Sequence, residues 1–96
     1  MIKVVKDKNI ITIRGHANRA EYGKDIVCAS VSSIVYTTIN ALKKIKESSV
    51  EVEDKETMII KVLEEDEVTK ALIDNMMELL LSLAEDYPQN ISVKER

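Results

Sequence analysis

The 96-residue sequence contains no tryptophan and no phenylalanine, and it has only three tyrosines. A hydrophobic core must therefore be built from isoleucine, valine, leucine and methionine. The single cysteine, Cys28, excludes an internal disulfide. One cysteine and one histidine, His16, are also too few for a dedicated zinc site, which usually takes three or four ligands from one chain. We therefore expect no metal and no cofactor.

The sequence also lacks a basic block and a long apolar run. Its net charge is −3, with acidic and basic residues mixed along the chain, whereas nucleic-acid-binding domains usually carry a basic patch. No charged-then-apolar leader opens the sequence, and no apolar run approaches the roughly 20 residues of a membrane span. These features predict a soluble protein of a reducing compartment, the cytoplasm, without direct contacts to nucleic acid or membrane.

The length and composition predict one domain over residues 1–96. Hydrophobic residues make up 45% of the chain and charged residues 32%, which is typical of a globular domain. A lone domain of this size buries only about 60–70% of the surface of its unfolded chain. Leu79, Leu80, Leu81 and Leu83 surround a predicted helix almost completely. We therefore expect a homodimer, with a simply well-buried helix as the alternative.

Apolar periodicity predicts a hairpin followed by a long helix. Alternating apolar residues indicate strands at 2–6 and 10–15, joined by turn residues at 7–9. From Ile26 the apolar residues recur at helical spacing for about six turns, and Asp25 is a candidate N-cap directly before them.

The second half of the chain repeats this pattern. Strands are predicted around 50–52 and 58–63, then a helix that starts near the acidic residues 65–67 and ends before Pro88. Ile91 and Val93 indicate a last strand. The order β-β-α-β-β-α-β predicts an α+β fold, a two-layer sandwich of two helices packed on a mostly antiparallel sheet. The methionines Met58, Met76 and Met77 are expected in the core or an interface, not in a metal site.

The polar segment between the second strand and the first helix lacks the apolar periodicity of a strand or a helix. Both glycines, Gly15 and Gly23, lie in it, and His16 and Cys28 mark its two ends. If Asp25 is the N-cap, Cys28 is the third helical residue, where unpaired backbone N–H groups stabilise a thiolate. His16, at the end of a strand, could act as a base and then as an acid. From these residues alone, a buried structural cysteine and a surface histidine are at least as plausible.

The same segment resembles the signature of the ribosomal-processing cysteine protease family. The resemblance is carried by residues 15–32, in the motifs Gly15-His16-Ala17, Glu21-Tyr22-Gly23, Asp25-Ile26-Val27-Cys28-Ala29 and Val31-Ser32. The predicted order of strands and helices extends the likeness over the whole chain. The signature is much more specific than one Cys/His pair, because the spacing, the glycines and the start of the helix all agree.

The resemblance implies a homodimeric bacterial cysteine endopeptidase. It implies that the substrate is the precursor of ribosomal protein bL27, whose short N-terminal extension is cut off after an aromatic residue. The catalytic pair of the family corresponds to His16 and Cys28. The loop between Gly15 and Gly23 is expected to become ordered on the substrate. Asn18 and Arg19 depart from the smaller or apolar residues expected in that loop, so its substrate contacts stay open.

Other residues of the segment allow two interpretations each. Asp25 could orient the histidine as a third catalytic residue, or it could be the helix N-cap, or both. Ser32 lies one turn after Cys28 and could contact substrate, or it could be a solvated or back-bonded helix serine. Tyr22 is either a loop anchor or a platform for substrate. The candidate substrate-binding residues are therefore Gly15, Tyr22, Gly23 and Ser32.

A competing hypothesis is a non-catalytic module for ribosome assembly or protein binding that uses the same loop as a docking surface. An acidic protein could meet a basic ribosomal tail electrostatically. In that case Cys28 would react with iodoacetamide at an ordinary rate, which distinguishes the two hypotheses. A thiol-transfer protein is a third possibility, but the sequence has no C-x-x-C pair.

Overall fold

The structure, a computed structural model, describes residues 1–15 and 26–96. In chain order its elements are β1 (Ile2–Asp7), β2 (Ile10–Arg14), α1 (Ile26–Ile45), a 3₁₀ turn (Glu47–Ser49), β3 (Val50–Asp54), β4 (Thr57–Val62), α2 (Glu67–Asp86) and β5 (Ile91–Glu95). The predicted order β-β-α-β-β-α-β is confirmed. The second strand ends at Arg14, one residue before its predicted end.

The five described strands form one sheet in the order β3-β4-β2-β1-β5. Neighbouring strands are antiparallel except for β1 and β5, which are parallel. A parallel pair cannot be joined by a tight turn, and here almost the whole chain lies between its two members. The two helices pack on this mixed sheet, so the predicted α+β sandwich with a mostly antiparallel sheet is confirmed.

The first hairpin turns where the sequence predicts. Asp7 and Ile10 form the last pair between β1 and β2, which leaves Lys8 and Asn9 as the connection. Lys8 has a φ of 56°, in the left-handed region that a tight hairpin turn requires. The carbonyl of Asn9 accepts a hydrogen bond from the Val62 N–H at 2.8 Å, so this turn is also fastened to β4.

One face of the sheet is buried, as the alternation of apolar and polar residues dictates. Val4 is opposite Ile13, and Ile13 is opposite Met58, so a continuous apolar row crosses three strands. The core is aliphatic and methionine-rich, as predicted. Its largest fully buried side chains are Ile11, Ile13, Leu42, Met58, Ile60, Met76, Met77, Leu80, Ile91, Val4, Val31 and Val35.

Helix α1 begins at Ile26 as predicted and is held by tertiary packing. Its core-facing residues include three valines and an isoleucine, which are weak helix formers because their χ1 freedom is restricted. By length and composition alone α1 could cross a membrane. That is weak evidence, because the core helix of a globular domain passes the same test, and α1 buries one side against the sheet and α2.

Two hydrogen bonds fix the direction of α1 over the edge strand β3. Near the end of the helix, the Ser49 hydroxyl donates to the Leu42 carbonyl at 3.2 Å. Farther back, the Tyr36 hydroxyl donates to the Asp54 carboxylate at the end of β3. Helix and strand therefore run in opposite directions. The first turns of α1 consequently lie toward the end of the sheet where β3 and β2 finish, since Arg14 of β2 pairs with Thr57 at the start of β4.

Candidate active site

Cys28 is the third residue of α1 and lies in its first turn, as the sequence predicts. Its side chain is half-buried and packs against the hydrophobic core. The residue is therefore held by the packing around it and is still partly exposed. A cysteine that is both fixed and partly exposed is suited to act as a nucleophile.

The first turn of α1 leaves backbone N–H groups without intrahelical partners. Within the described part of the chain, no acidic side chain lies in this turn. The partial positive charge of the helix N-terminus is therefore not neutralised by the turn's own side chains. A partial positive charge of this kind stabilises a thiolate at the position of Cys28 or an oxyanion that forms beside it.

Gly15, at the other side of the segment 16–25, has a backbone that only glycine adopts easily. Its φ is 78°, which is a left-handed conformation. A Cβ atom added there would lie 2.7 Å from the carbonyl oxygen of Met1. Both facts explain structurally why a glycine occupies position 15. The contact of Gly15 with substrate stays a prediction.

Ser32 lies one turn after Cys28 and is half-buried. The hydroxyls of Ser30 and Thr38 each donate to the carbonyl four residues earlier, both at 2.9 Å. Among the residues that the structure describes, the Ser32 hydroxyl has no such bond. Of its two predicted roles, back-bonding is therefore not seen in the described region, and contact with a substrate stays a prediction.

Sequence reasoning missed the pair Tyr36 and Asp54. Tyr36 follows Ser32 by four residues, and its hydroxyl donates to the Oδ2 atom of Asp54. This hydrogen bond, together with some burial, raises the pKa of Tyr36 to about 12. The spacing of residues 28, 32 and 36 could have placed Tyr36 on the flank of Cys28, but its partner depends on sheet topology.

Four predicted site residues, His16, Tyr22, Gly23 and Asp25, lie outside the described residues. The approach of His16 to Cys28 therefore stays a prediction, as do both roles of Asp25. Within residues 1–15 and 26–96, no group of three or more histidine, cysteine, aspartate or glutamate side chains could hold a metal ion. The described part of the site offers a thiol, a hydroxyl and helix N–H groups, which suit acyl transfer to sulfur.

Comparison with known proteins agrees with this chemistry. The family model described as cysteine protease Prp matches residues 1–92 of the chain. The ribosomal processing cysteine protease Prp of Mycoplasma pneumoniae is 34% identical over 99 residues, which cover 100% of this chain and 96% of that protein. The match therefore extends well beyond the segment of residues 15–32.

Solved structures have the same fold over the same length. The crystal structure of the Staphylococcus aureus ribosomal processing protease Prp with a substrate peptide matches with a TM-score of 0.88 at 23% identity, over 100% of both chains. The crystal structure of a Streptococcus mutans protein matches with a TM-score of 0.82 at 28% identity, over 98% of this chain and 90% of that chain. Fold and sequence comparisons thus point to the same group of proteins.

Proposed function

Because the chain belongs to the family of the cysteine protease Prp and is a cysteine peptidase, we propose a specific substrate for it. The proposed reaction removes the short N-terminal extension of the ribosomal protein bL27 precursor. The observation that carries the proposal is Cys28, half-buried in the first turn of α1. The specific substrate is supported by the curated relatives, which are ribosomal processing proteases. It is also supported by the signature of residues 15–32.

The first chemical step forms a thioester. The Cys28 thiolate attacks the carbonyl carbon of the scissile bond, and the carbonyl electron pair moves to oxygen. Backbone N–H groups of the first helical turn donate hydrogen bonds to this oxyanion. As the oxyanion returns its electrons, the C–N bond breaks, and His16 gives a proton to the leaving amine. The extension is now bound to Cys28, and the mature protein leaves with a free amino group.

The second step releases the extension. His16 takes a proton from a water molecule, whose oxygen attacks the thioester carbon. A second oxyanion forms in the same place and collapses, which breaks the C–S bond and restores the thiolate. The extension leaves as a carboxylic acid. Asp25, Tyr22, Gly23, Gly15 and Ser32 remain proposed contributors, the first by orienting His16 and the others by binding the peptide.

Incubation of the protein with the bL27 precursor from the same source tests this function. Mass spectrometry of both products identifies the bond that is cut, and the expected cut follows an aromatic residue near the precursor's N-terminus. The variants Cys28→Ala and Cys28→Ser should fold and should not cleave. Undiminished cleavage by either variant would contradict the assignment of Cys28.

The proposed working form is a cytoplasmic homodimer. Helix α2 buries Leu80 completely, yet Leu79 is 46% exposed and Leu81 42% exposed. These two leucines supply apolar surface that a second copy could cover. Sedimentation of the protein at micromolar concentration tests this proposal, because a monomer under those conditions would contradict it.

A further inference from the structure

The flank of α1 that carries Cys28 continues as a row of polar side chains. Cys28, Ser32 and Tyr36 follow each other at intervals of four residues, and all three are half-buried. Residues four apart lie on the same side of a helix, one turn above the other. The row begins at the thiol, continues through a hydroxyl without a described partner, and ends at the Tyr36–Asp54 hydrogen bond.

The length of this row matches a short stretch of extended peptide. Eight residues of α-helix rise about 12 Å. An extended peptide advances about 3.3 Å per residue, so a substrate whose scissile bond lies at Cys28 would reach Tyr36 with a residue roughly four positions away. The Tyr36–Asp54 pair is therefore within reach of a peptide that lies along the helix.

The carboxylate at the far end of the row has no cationic partner among the described residues. Glu51 lies 3.8 Å from Lys61, and Glu53 lies 3.9 Å from Lys55. Asp54, in contrast, forms no ion pair with any residue in the part of the chain that the structure describes. Its Oδ2 atom accepts the Tyr36 hydrogen bond, and the residue as a whole is exposed. The carboxylate is thus held in one orientation, and no described cation pairs with it.

We propose that the substrate peptide lies along the α1 flank from Cys28 past Ser32 to the Tyr36–Asp54 pair, and that Asp54 selects a basic side chain about four residues from the scissile bond. Tyr36 is the positioning residue, because its hydroxyl fixes the carboxylate. A substrate peptide is the expected occupant because the row is continuous with the nucleophile and because no described cation pairs with the Asp54 carboxylate. The inference rests on Cys28 being the nucleophile of the proposed function.

A peptide series tests this inference without the bL27 precursor. The peptides have twelve residues, and the residue at the centre is varied. A second position, four residues before or after the centre, carries lysine, alanine or glutamate. Mass spectrometry identifies the bond that is cut. The wild-type protein should prefer lysine to alanine at one of these two positions by about twofold to fivefold in kcat/KM, as expected for an exposed ion pair. The preference should appear mainly in KM, because it is a binding interaction remote from the reacting bond.

Three variants locate the preference. Asp54→Asn keeps an acceptor for Tyr36 and removes the charge, so the ratio of lysine to alanine should fall to one. Tyr36→Phe should lower the ratio partly, because the carboxylate loses its fixed position. The matched control is Glu53→Gln, which removes the same charge one residue away and should keep the ratio. A purely structural effect would slow both peptides equally and leave every ratio unchanged.

Several results would overturn the inference. It fails if the wild-type protein cleaves lysine and alanine peptides equally, if the preference survives Asp54→Asn, or if Glu53→Gln abolishes it as well. Peptide cleavage with the expected preference, but no cleavage of the bL27 precursor, would refute the proposed substrate and support the inferred groove. If no peptide of the series is cut, the inferred groove is refuted, and incubation with the bL27 precursor decides the proposed function separately.

Discussion

The two helices have the same length and lie on the same sheet, but their first turns are built for different tasks. Asp66 precedes α2 as its N-cap and accepts a hydrogen bond from the Thr69 N–H at 2.8 Å, and Glu67 adds negative charge to the same turn. In the described part of α1, the first turn has no acidic side chain, and Cys28 occupies its third position. One helix start satisfies its own N–H groups and dipole. The described first turn of the other carries a cysteine in place of such acidic residues.

The largest expected effect is on activity at the α1 start. Cys28→Ala should reduce kcat/KM for peptide cleavage by about a thousandfold or more, because removal of a nucleophile eliminates the covalent route. The melting temperature should change little, since the side chain is small and only half-buried. A control is Ser33→Ala, an exposed position of the same helix. Comparable losses in both variants would mean that the helix start is merely structural.

The next effect is on stability at the entry to the site. Gly15→Ala should lower the free energy of unfolding by about 1–2 kcal/mol from the left-handed backbone alone. The contact of the added methyl group with the Met1 carbonyl oxygen adds to this loss. Chemical denaturation measures the change. Lys8→Gly is the matched control, because Lys8 has φ 56° and should lose no stability through backbone strain. Equal stability of Gly15→Ala and wild type would refute the close approach.

A smaller effect on stability is expected at the α2 start. Asp66→Ala removes the N-cap and should lower the melting temperature, while peptide cleavage below that temperature is unaffected. The hydrogen bond from Thr69 lowers the pKa of Asp66. Its contribution to stability is therefore complete above the unfolded value of about 3.9 and is lost as the pH falls through the folded pKa.

Asp66→Asn separates the cap from its charge. Asparagine is also a good N-cap but does not titrate. The variant should therefore keep most of the stability of the wild type, and its stability should no longer fall through protonation of residue 66. Melting curves between neutral and acidic pH measure both properties. If Asp66→Ala abolished peptide cleavage as Cys28→Ala does, the contrast between the two helix starts would be wrong.

The smallest effect concerns the far end of the α1 flank. Because Asp54 raises the pKa of Tyr36 to about 12, its phenol should ionise later than an ordinary tyrosine. An ultraviolet titration of tyrosinate should therefore lose its highest step in Tyr36→Phe. The free energy of unfolding should fall as the pH rises from about 10, the pKa of tyrosine in the unfolded chain, to about 12, its pKa in the folded protein. The reason is that the unfolded chain releases this proton at the lower pH. Loss in Tyr36→Phe of a step near the ordinary value of about 10 would refute the hydrogen bond.

The elements of this fold could be predicted from sequence because they depend on local periodicity. Apolar residues alternate in β1 and β5 and recur at helical spacing in both helices, so element types and most boundaries were predicted correctly. The strand order 3-4-2-1-5 and the parallel pairing of β5 with β1 were not predicted. Pairings between distant segments depend on how the whole apolar surface is buried, which no local pattern encodes.

The same division holds for the site. The place of Cys28 in the first helical turn was predicted, because it depends only on where α1 begins. The Tyr36–Asp54 contact joins a helix to the end of an edge strand 18 residues later, and this contact is a consequence of topology. The close approach of Gly15 to Met1 likewise follows from the pairing of two strands. Chemistry carried by one segment was therefore predictable, but contacts between segments were not.

The most direct test of the account is to trap the thioester on Cys28. The protein is mixed with the bL27 precursor, quenched in acid during turnover, and examined by intact mass spectrometry and peptide mapping. We predict an adduct with the mass of the extension less one water, located on Cys28 and absent from Cys28→Ala. Cleavage without any adduct, together with full activity of Cys28→Ala, would contradict the claim that this cysteine is the nucleophile.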